Sequence, residues 1–220
     1  TVQFARYLGG LVRGDLGPSF RMKDFTVAEL IGRGLPVTLS IGAAALLLGI
    51  GLGVPLGLVA GLRQNGWADH AVMSVALVGI AVPNFVVAPV LALVFGLYLG
   101  WLPVAGWEPG SAKHLVLPVV TLALPLVAYL ARLTRGSLLE VLQAPFIRTA
   151  RAKGLDPGVI LRRHALKPTL LPVVSFLGPA AAALLTGSLV VEQVFGLPGV
   201  GRYFVQGAIN RDYTLVMGMV

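Results

Sequence analysis

Long apolar runs alternate with short polar stretches along this chain. From Gly34 to Leu62 no residue is charged, and at 1.5 Å per residue such a helix crosses the ~30 Å core of a bilayer with length to spare. A second apolar stretch, 71–107, is too long for one straight crossing. Pro83 and Pro89 are expected to bend it. Gly100-Trp101-Leu102-Pro103 with Trp107 reads as an interfacial anchor, leaving a span over 71–98. A third span is predicted over 115–133, kinked at Pro118 and Pro125, and a fourth over 168–191, kinked at Gly178-Pro179. A fifth begins at Tyr213 and runs to residue 220. Ahead of these, residues 1–33 are mixed in charge and read as an extracytoplasmic segment, with Val27–Ile31 as a short interfacial helix. The pattern predicts an all-α membrane protein, a polytopic helical bundle over 34–220. The chain opens polar, without an initiator Met, and stops in an apolar run, so it is expected to be a fragment lacking a first span and the end of the last.

Within the spans a few positions stand out. Gly49, Gly53, Gly57 and Gly61 recur every fourth residue, a smooth stripe suited to close helix packing. Gly51-x-Gly53 suggests no nucleotide site, since the dinucleotide fingerprint needs a strand and a βαβ unit around it. Asn84, in Pro83-Asn84-Phe85, is the polar break of the second span. It either lines a translocation path or makes an interhelical hydrogen bond, and the second reading is favoured.

The polar interruption 132–167 holds eight basic residues against two acids. Pro145 ends one helix and starts another through Phe146, Ile147, Ala150 and Ala152. Gly154 fits the left-handed position that ends it, and Asp156 caps a second helix with Pro157 at its first position. That second helix carries Val159, Ile160, Leu161 and Leu166, and Pro168 follows its end. By parity this loop shares a side with the Arg63–Asp69 turn, and its basic excess assigns that side to the cytoplasm. The five basic residues of 1–33 run against that assignment, although three acids accompany them.

Composition agrees with the hydropathy. The sequence is 56% hydrophobic and 12% charged, where soluble domains hold about a quarter charged residues. The net charge of +8 is concentrated in one loop between spans, so positive-inside bias explains it and nucleic acid is not expected as a partner. There is no cysteine, hence no disulfide or thiolate metal site. Neither a His-Glu-x-x-His nor a Gly-x-Ser-x-Gly pattern occurs. No catalytic, metal or cofactor residue is predicted. The clear spans hold no Asp, Glu or Lys, which argues against a proton- or sodium-coupled carrier, and a self-contained channel or carrier is the more remote alternative. Energy is expected from a partner.

The loop resembles a known family. Arg148-Thr149-Ala150-Arg151-Ala152-Lys153-Gly154-Leu155, followed by Arg163-His164-Ala165-Leu166-Lys167-Pro168 and Leu171-Pro172, resembles the cytoplasmic loop of bacterial ABC-importer permeases, in the dipeptide/oligopeptide branch. The general Glu-Ala-Ala-x-x-x-Gly signature is kept only at Ala150 and Gly154; Arg148 and Thr149 depart from it. Two further stretches resemble the same branch. One is Tyr7-Leu8-Gly9-Gly10-Leu11 with Arg13-Gly14-Asp15-Leu16-Gly17-Pro18-Ser19-Phe20. The other is Glu192 to Arg202 with Asn210-Arg211-Asp212-Tyr213.

The resemblance implies a fold of the type I ABC-importer permease kind with a coupling-helix loop over 134–167. It implies that Arg148, Thr149, Ala150, Arg151, Ala152, Lys153, Gly154, Leu155 and Asp156 contact an ATPase subunit, with Ala150 and Ala152 small enough for close docking. It implies that Glu192, Phe195, Pro198, Gly199, Gly201, Arg211 and Asp212 lie in a loop facing a substrate-binding protein. The implied partners are a sister permease in a hetero- or homodimer, two ATP-binding subunits carrying ATP and Mg, an extracytoplasmic binding protein, and the lipid of a bacterial inner membrane. The implied cargo is di- or oligopeptide, with nickel, glutathione or oligosaccharide as alternatives within the branch.

Overall fold

The computed structural model describes residues 9–10, 12, 14–22 and 24–220, with side chains described for all of these except 185–187. Tyr7, Leu8, Leu11 and Arg13 of the first motif lie outside the described residues. The described elements are helical, joined by one isolated bridge between Pro18 and Thr26.

Helix α1 runs Val27–Leu62, 36 residues. Its start is a capping box. Thr26 Oγ1 accepts from the Glu29 N–H at 3.3 Å, and Glu29 Oε2 accepts from the Thr26 N–H at 2.9 Å. The stretch 27–31, expected as a separate interfacial helix, is therefore the first turns of the same rod. Glu29 and Arg33 restrict how deep that end sits in a membrane, but they do not break a helix.

Helix α2 covers Trp67–Ala81. Val82 leaves the helix at φ −87°, ψ 118°, as a residue before proline is driven to do. Helix α3, Asn84–Leu91, holds Pro89 inside it and passes into a π-helical stretch, Ala92–Tyr98. The expected bend of the second span is thus a break at Pro83.

Helix α4 runs Ala112–Gln143, through Pro118 and Pro125 and well past residue 133, where the third span was expected to end. After α5, Pro145–Ala152, comes α6, Pro157–Val159, then π-helical Ile160–Ala165, then α7, Leu166–Gly187. The second loop helix does not stop before Pro168 as expected. It continues into the span, and the wide π turn just ahead of Pro168 gives the ring room that a tight α turn lacks. Helices α8, Leu189–Val194, α9, Val200–Ile209, and α10, Tyr213–Met219, complete the described elements. Among the described residues, three stretches are long and apolar enough to cross a membrane: Val27–Leu62, Ala112–Gln143 and Pro157–Val194. The broken pair Trp67–Ala81 and Asn84–Tyr98 makes a fourth if it forms one span.

These helices feed two compact units. One comprises 43–83 and 120–184. In it the glycine stripe of α1 is the seat of α4. A Cβ on Gly53 would lie 2.8 Å from Leu130 Cβ and from the Val127 carbonyl, and one on Gly61 would lie 2.8 Å from Leu138 Cδ2. The stripe is therefore a packing surface. In the same unit Asp69, 1% exposed, joins α2 to α4: Arg135 grips both its oxygens, with Nη2 to Oδ2 at 2.7 Å, and the Asn65 N–H donates to Oδ2 at 3.0 Å. A bidentate guanidinium pair fixes orientation as well as distance. It also holds the Arg63–Asp69 turn beside the helix that enters the basic loop, in keeping with the parity argument.

The other unit comprises 1–42, 84–119 and 185–220. Val27, Leu30 and Leu215 form its apolar centre, packed by Leu16, Tyr203 and Met219. The Gly106 N–H donates to the Phe195 carbonyl at 2.8 Å.

Candidate functional site

The basic loop folds as a small rigid body. Ala144 is extended, at φ −64° and ψ 148°, and Pro145 takes the first position of α5. Ile147 and Ala150, three residues apart, turn inward onto Leu138, Ile160 and Ala165. The far end is a Schellman turn. The Gly154 N–H reaches the Arg151 carbonyl at 2.9 Å, and the Leu155 N–H reaches that of Ala150 at 3.3 Å. Gly154 sits at φ +77°, where a Cβ is penalised. One residue beyond Leu155, Asp156 Oδ1 accepts from the Gly158 N–H at 2.8 Å and caps α6.

Which residues this leaves outward differs from the sequence expectation at one position. Arg148, Thr149, Arg151, Ala152, Lys153, Gly154, Leu155 and Asp156 are exposed. Ala150 is buried, only 5% exposed, and serves the base of the helix instead of a docking face. Its place outside is taken by Phe146, 47% exposed, which the sequence reading did not single out for that role. The signal was present: Phe146 lies one position from the inward pair's first member, on the far side of an amphipathic turn. The outward ridge is thus one aromatic, one small residue and several cations.

The loop after α8 is built around a carboxylate. Glu192 is fully buried. Its Oε1 accepts from the hydroxyls of Thr38 and Ser188, each at 2.7 Å, and its Oε2 accepts from the Arg202 N–H at 3.2 Å. The Thr38 oxygen in turn accepts from the Val200 N–H at 3.0 Å. Two of the unpaired N–H groups that open α9 are thereby satisfied, one directly and one through Thr38. Gly199 and Gly201 explain themselves here, because a Cβ on either would run into the Glu192 carboxylate.

A second carboxylate ties the two outer motifs together. Asp212 caps α10 through the Leu215 N–H at 3.2 Å. It also accepts from the Ser19 hydroxyl and from the N–H groups of Phe20 and Arg21, at 3.2 and 3.1 Å. Burial alone would push the Asp212 carboxyl up. The hydrogen bonds from Ser19, Arg21, Leu215 and Phe20 outweigh it and hold the group below the usual carboxylate range.

These contacts revise the expectation that the whole set faces a partner. Glu192, Phe195, Gly199, Gly201 and Asp212 are buried within the unit, Pro198 is half-buried, and Arg211 is exposed. They shape the loop, and its outer surface is left to neighbours such as Arg211. Asn84 is half-buried at the first turn of α3.

The model of the family described as "Binding-protein-dependent transport system inner membrane component" matches residues 53–220. The oligopeptide transport system permease protein OppB of Salmonella typhimurium is 52% identical over 217 residues, covering 99% of this chain and 71% of that protein. The dipeptide transport system permease protein DppB of Bacillus subtilis is 43% identical over 216 residues, covering 98% of this chain and 70% of that protein. Among solved structures, a chain of the MetNI methionine ABC transporter, in an inward-facing conformation, matches with a TM-score of 0.68 at 20% identity. It covers 86% of this chain and 88% of that one. At that identity the likeness speaks for the fold alone, an all-α bundle. Relatives that run almost the whole of this chain, and a family model that fits most of it, settle the assignment: the chain belongs to the binding-protein-dependent transport system inner membrane components.

Proposed function

We propose that this chain is a permease subunit of a bacterial inner-membrane ABC importer for di- or oligopeptides. It forms half of the solute path with a sister permease, and it contains no engine of its own. ATP and Mg act on two partner ATPases, and an extracytoplasmic binding protein delivers the cargo. The peptide class rests on the relatives, which are oligopeptide and dipeptide permease proteins by name.

The observation that carries the mechanism is the rigid α5. Its inner residues Ile147 and Ala150 are locked on the cluster under them, and its outer ridge offers Phe146, Arg148, Ala152 and Lys153. A cationic ridge with one aromatic anchor suits an acidic, partly apolar groove on an ATPase. Because α6 runs through the π turn into α7, a push on the loop is delivered to a spanning helix without a hinge loop between them. Proteoliposomes holding the assembled transporter test this. Peptide uptake is expected only with both ATPases and ATP present. Uptake by the permeases alone would instead indicate a self-contained carrier.

A further inference from the structure

Helix α4 has two unlike faces. Leu126, Leu130 and Leu138 are buried on the side that meets the α1 glycines. The other side carries Tyr129, Arg132, Gly136, Ser137 and Glu140, positions i, i+3, i+7, i+8 and i+11 of one helical stripe. With Pro172 of α7 they line a cavity of about 370 Å³. Tyr129 stacks on Phe176 at the end of that stripe, ring centroids 4.2 Å apart.

The two charges on the stripe are uncommitted. Arg135 is held by Asp69, but among the described residues neither Arg132 nor Glu140 has an ion-pair partner, and both are exposed. Arg132 lies near the Tyr129 ring, 6.0 Å from its guanidinium carbon. Arg132 stands at the end of the predicted third span and Glu140 in the polar segment beyond it, so this face of the helix meets water or a charged solute at the loop end of the bundle. They stand eight positions apart on the helix, about 12 Å of axial rise. An extended chain advances about 3.3–3.6 Å per residue, so a peptide of three or four residues spans the gap.

We propose that this stripe is a transit site for the termini of a short zwitterionic peptide. Arg132 takes the α-carboxylate, Glu140 takes the α-ammonium, and the Tyr129–Phe176 stack bounds the site at the Arg132 end. The inference rests on the peptide reading above and deepens it. Termini are what all peptides share, so charge-assisted bonds to them hold the cargo without reading its side chains.

The test uses the full assembled transporter in proteoliposomes, with uptake of tri-alanine, its C-terminal amide and its N-acetyl form. Each rate is divided by the wild-type rate for the same peptide, so the preferences of the binding protein cancel, and co-purifying ATPase normalises assembly. Arg132→Gln should cut tri-alanine uptake about tenfold, the scale of one charge-assisted bond, while leaving the amide's ratio near one. Glu140→Gln should do the same for tri-alanine and spare the N-acetyl form. Arg132→Lys should keep most of the rate. Equal losses for free and capped peptides, the mark of a contact with the sister subunit, would overturn the proposal, and so would no loss at all. A wild-type assembly that imports no peptide would overturn the underlying reading and the proposal with it. Peptide import that is indifferent to both variants would overturn the proposal alone.

Discussion

Gly154→Pro is expected to leave membrane insertion intact and to abolish transport-coupled ATP hydrolysis. Proline is fixed near φ −65°, and the native residue sits at φ +77°. The substitution also removes the N–H that bonds the Arg151 carbonyl at 2.9 Å, and it disfavours the near-helical backbone of Lys153 just before it. Together these cost about 3 kcal/mol. That corresponds to about a hundredfold loss in the population of the native turn. The spans lie outside the turn, so the chain should still insert. Gly154→Ala provides a graded control, since an alanine in the left-handed region costs about 1–2 kcal/mol and keeps the N–H. Binding-protein-stimulated ATPase rates in the reconstituted complex should fall in the order wild type, Gly154→Ala, Gly154→Pro. A full stimulated rate in Gly154→Pro would remove the role given to this turn.

Glu192→Ala should be the most destabilising change in the loop after α8. The carboxylate has no solvent contact, and its removal strands the hydroxyls of Thr38 and Ser188 and the Arg202 N–H in a buried space. Leaving buried donors unsatisfied costs about 1–3 kcal/mol each, with partial relaxation between neighbours. A total of about 3 kcal/mol would lower the thermal midpoint by about 6–12 °C for a chain of this size. Glu192→Gln keeps an oxygen for the two hydroxyls and loses only the acceptor for Arg202, so it should cost about 1 kcal/mol. Thermal unfolding of the purified permease in detergent, followed by tryptophan fluorescence, separates the two. Midpoints for both variants within a degree of wild type would show that the carboxylate is not the pin described above.

Much of the basic loop was legible because its signals are local. Pro145, Gly154, Asp156 and Pro157 each impose a backbone conformation by their own chemistry, and all four sit where that chemistry places them. The glycine stripe was legible for the same reason, a fixed period on one helix. What the sequence hid was non-local. Nothing in the run around Glu192 reveals that Thr38, 154 positions earlier, supplies its hydrogen bond, so an acid in a glycine-rich loop read as a surface contact. Ala150 was misplaced because a small residue suits both a docking face and a tight base. Only the positions of Leu138 and Ile160 decide between them. Pro168 read as a stop because proline usually is one, and the π turn that accommodates it has no sequence signature. The start of α1 is local in kind, since Thr26-x-x-Glu29 is a capping box, but the charges around it mark the edge of the membrane and not the edge of the helix.

The central claim is that α5 is the point at which an ATPase moves this chain. The sequence has no cysteine, so Ala152→Cys on the exposed ridge gives a single labelling site in it. In the assembled transporter, a short photo-crosslinker on that cysteine should capture an ATPase subunit in high yield, and one on Arg211→Cys should not. Capture of the binding protein at residue 152, or of no nucleotide-hydrolysing subunit, would contradict the account.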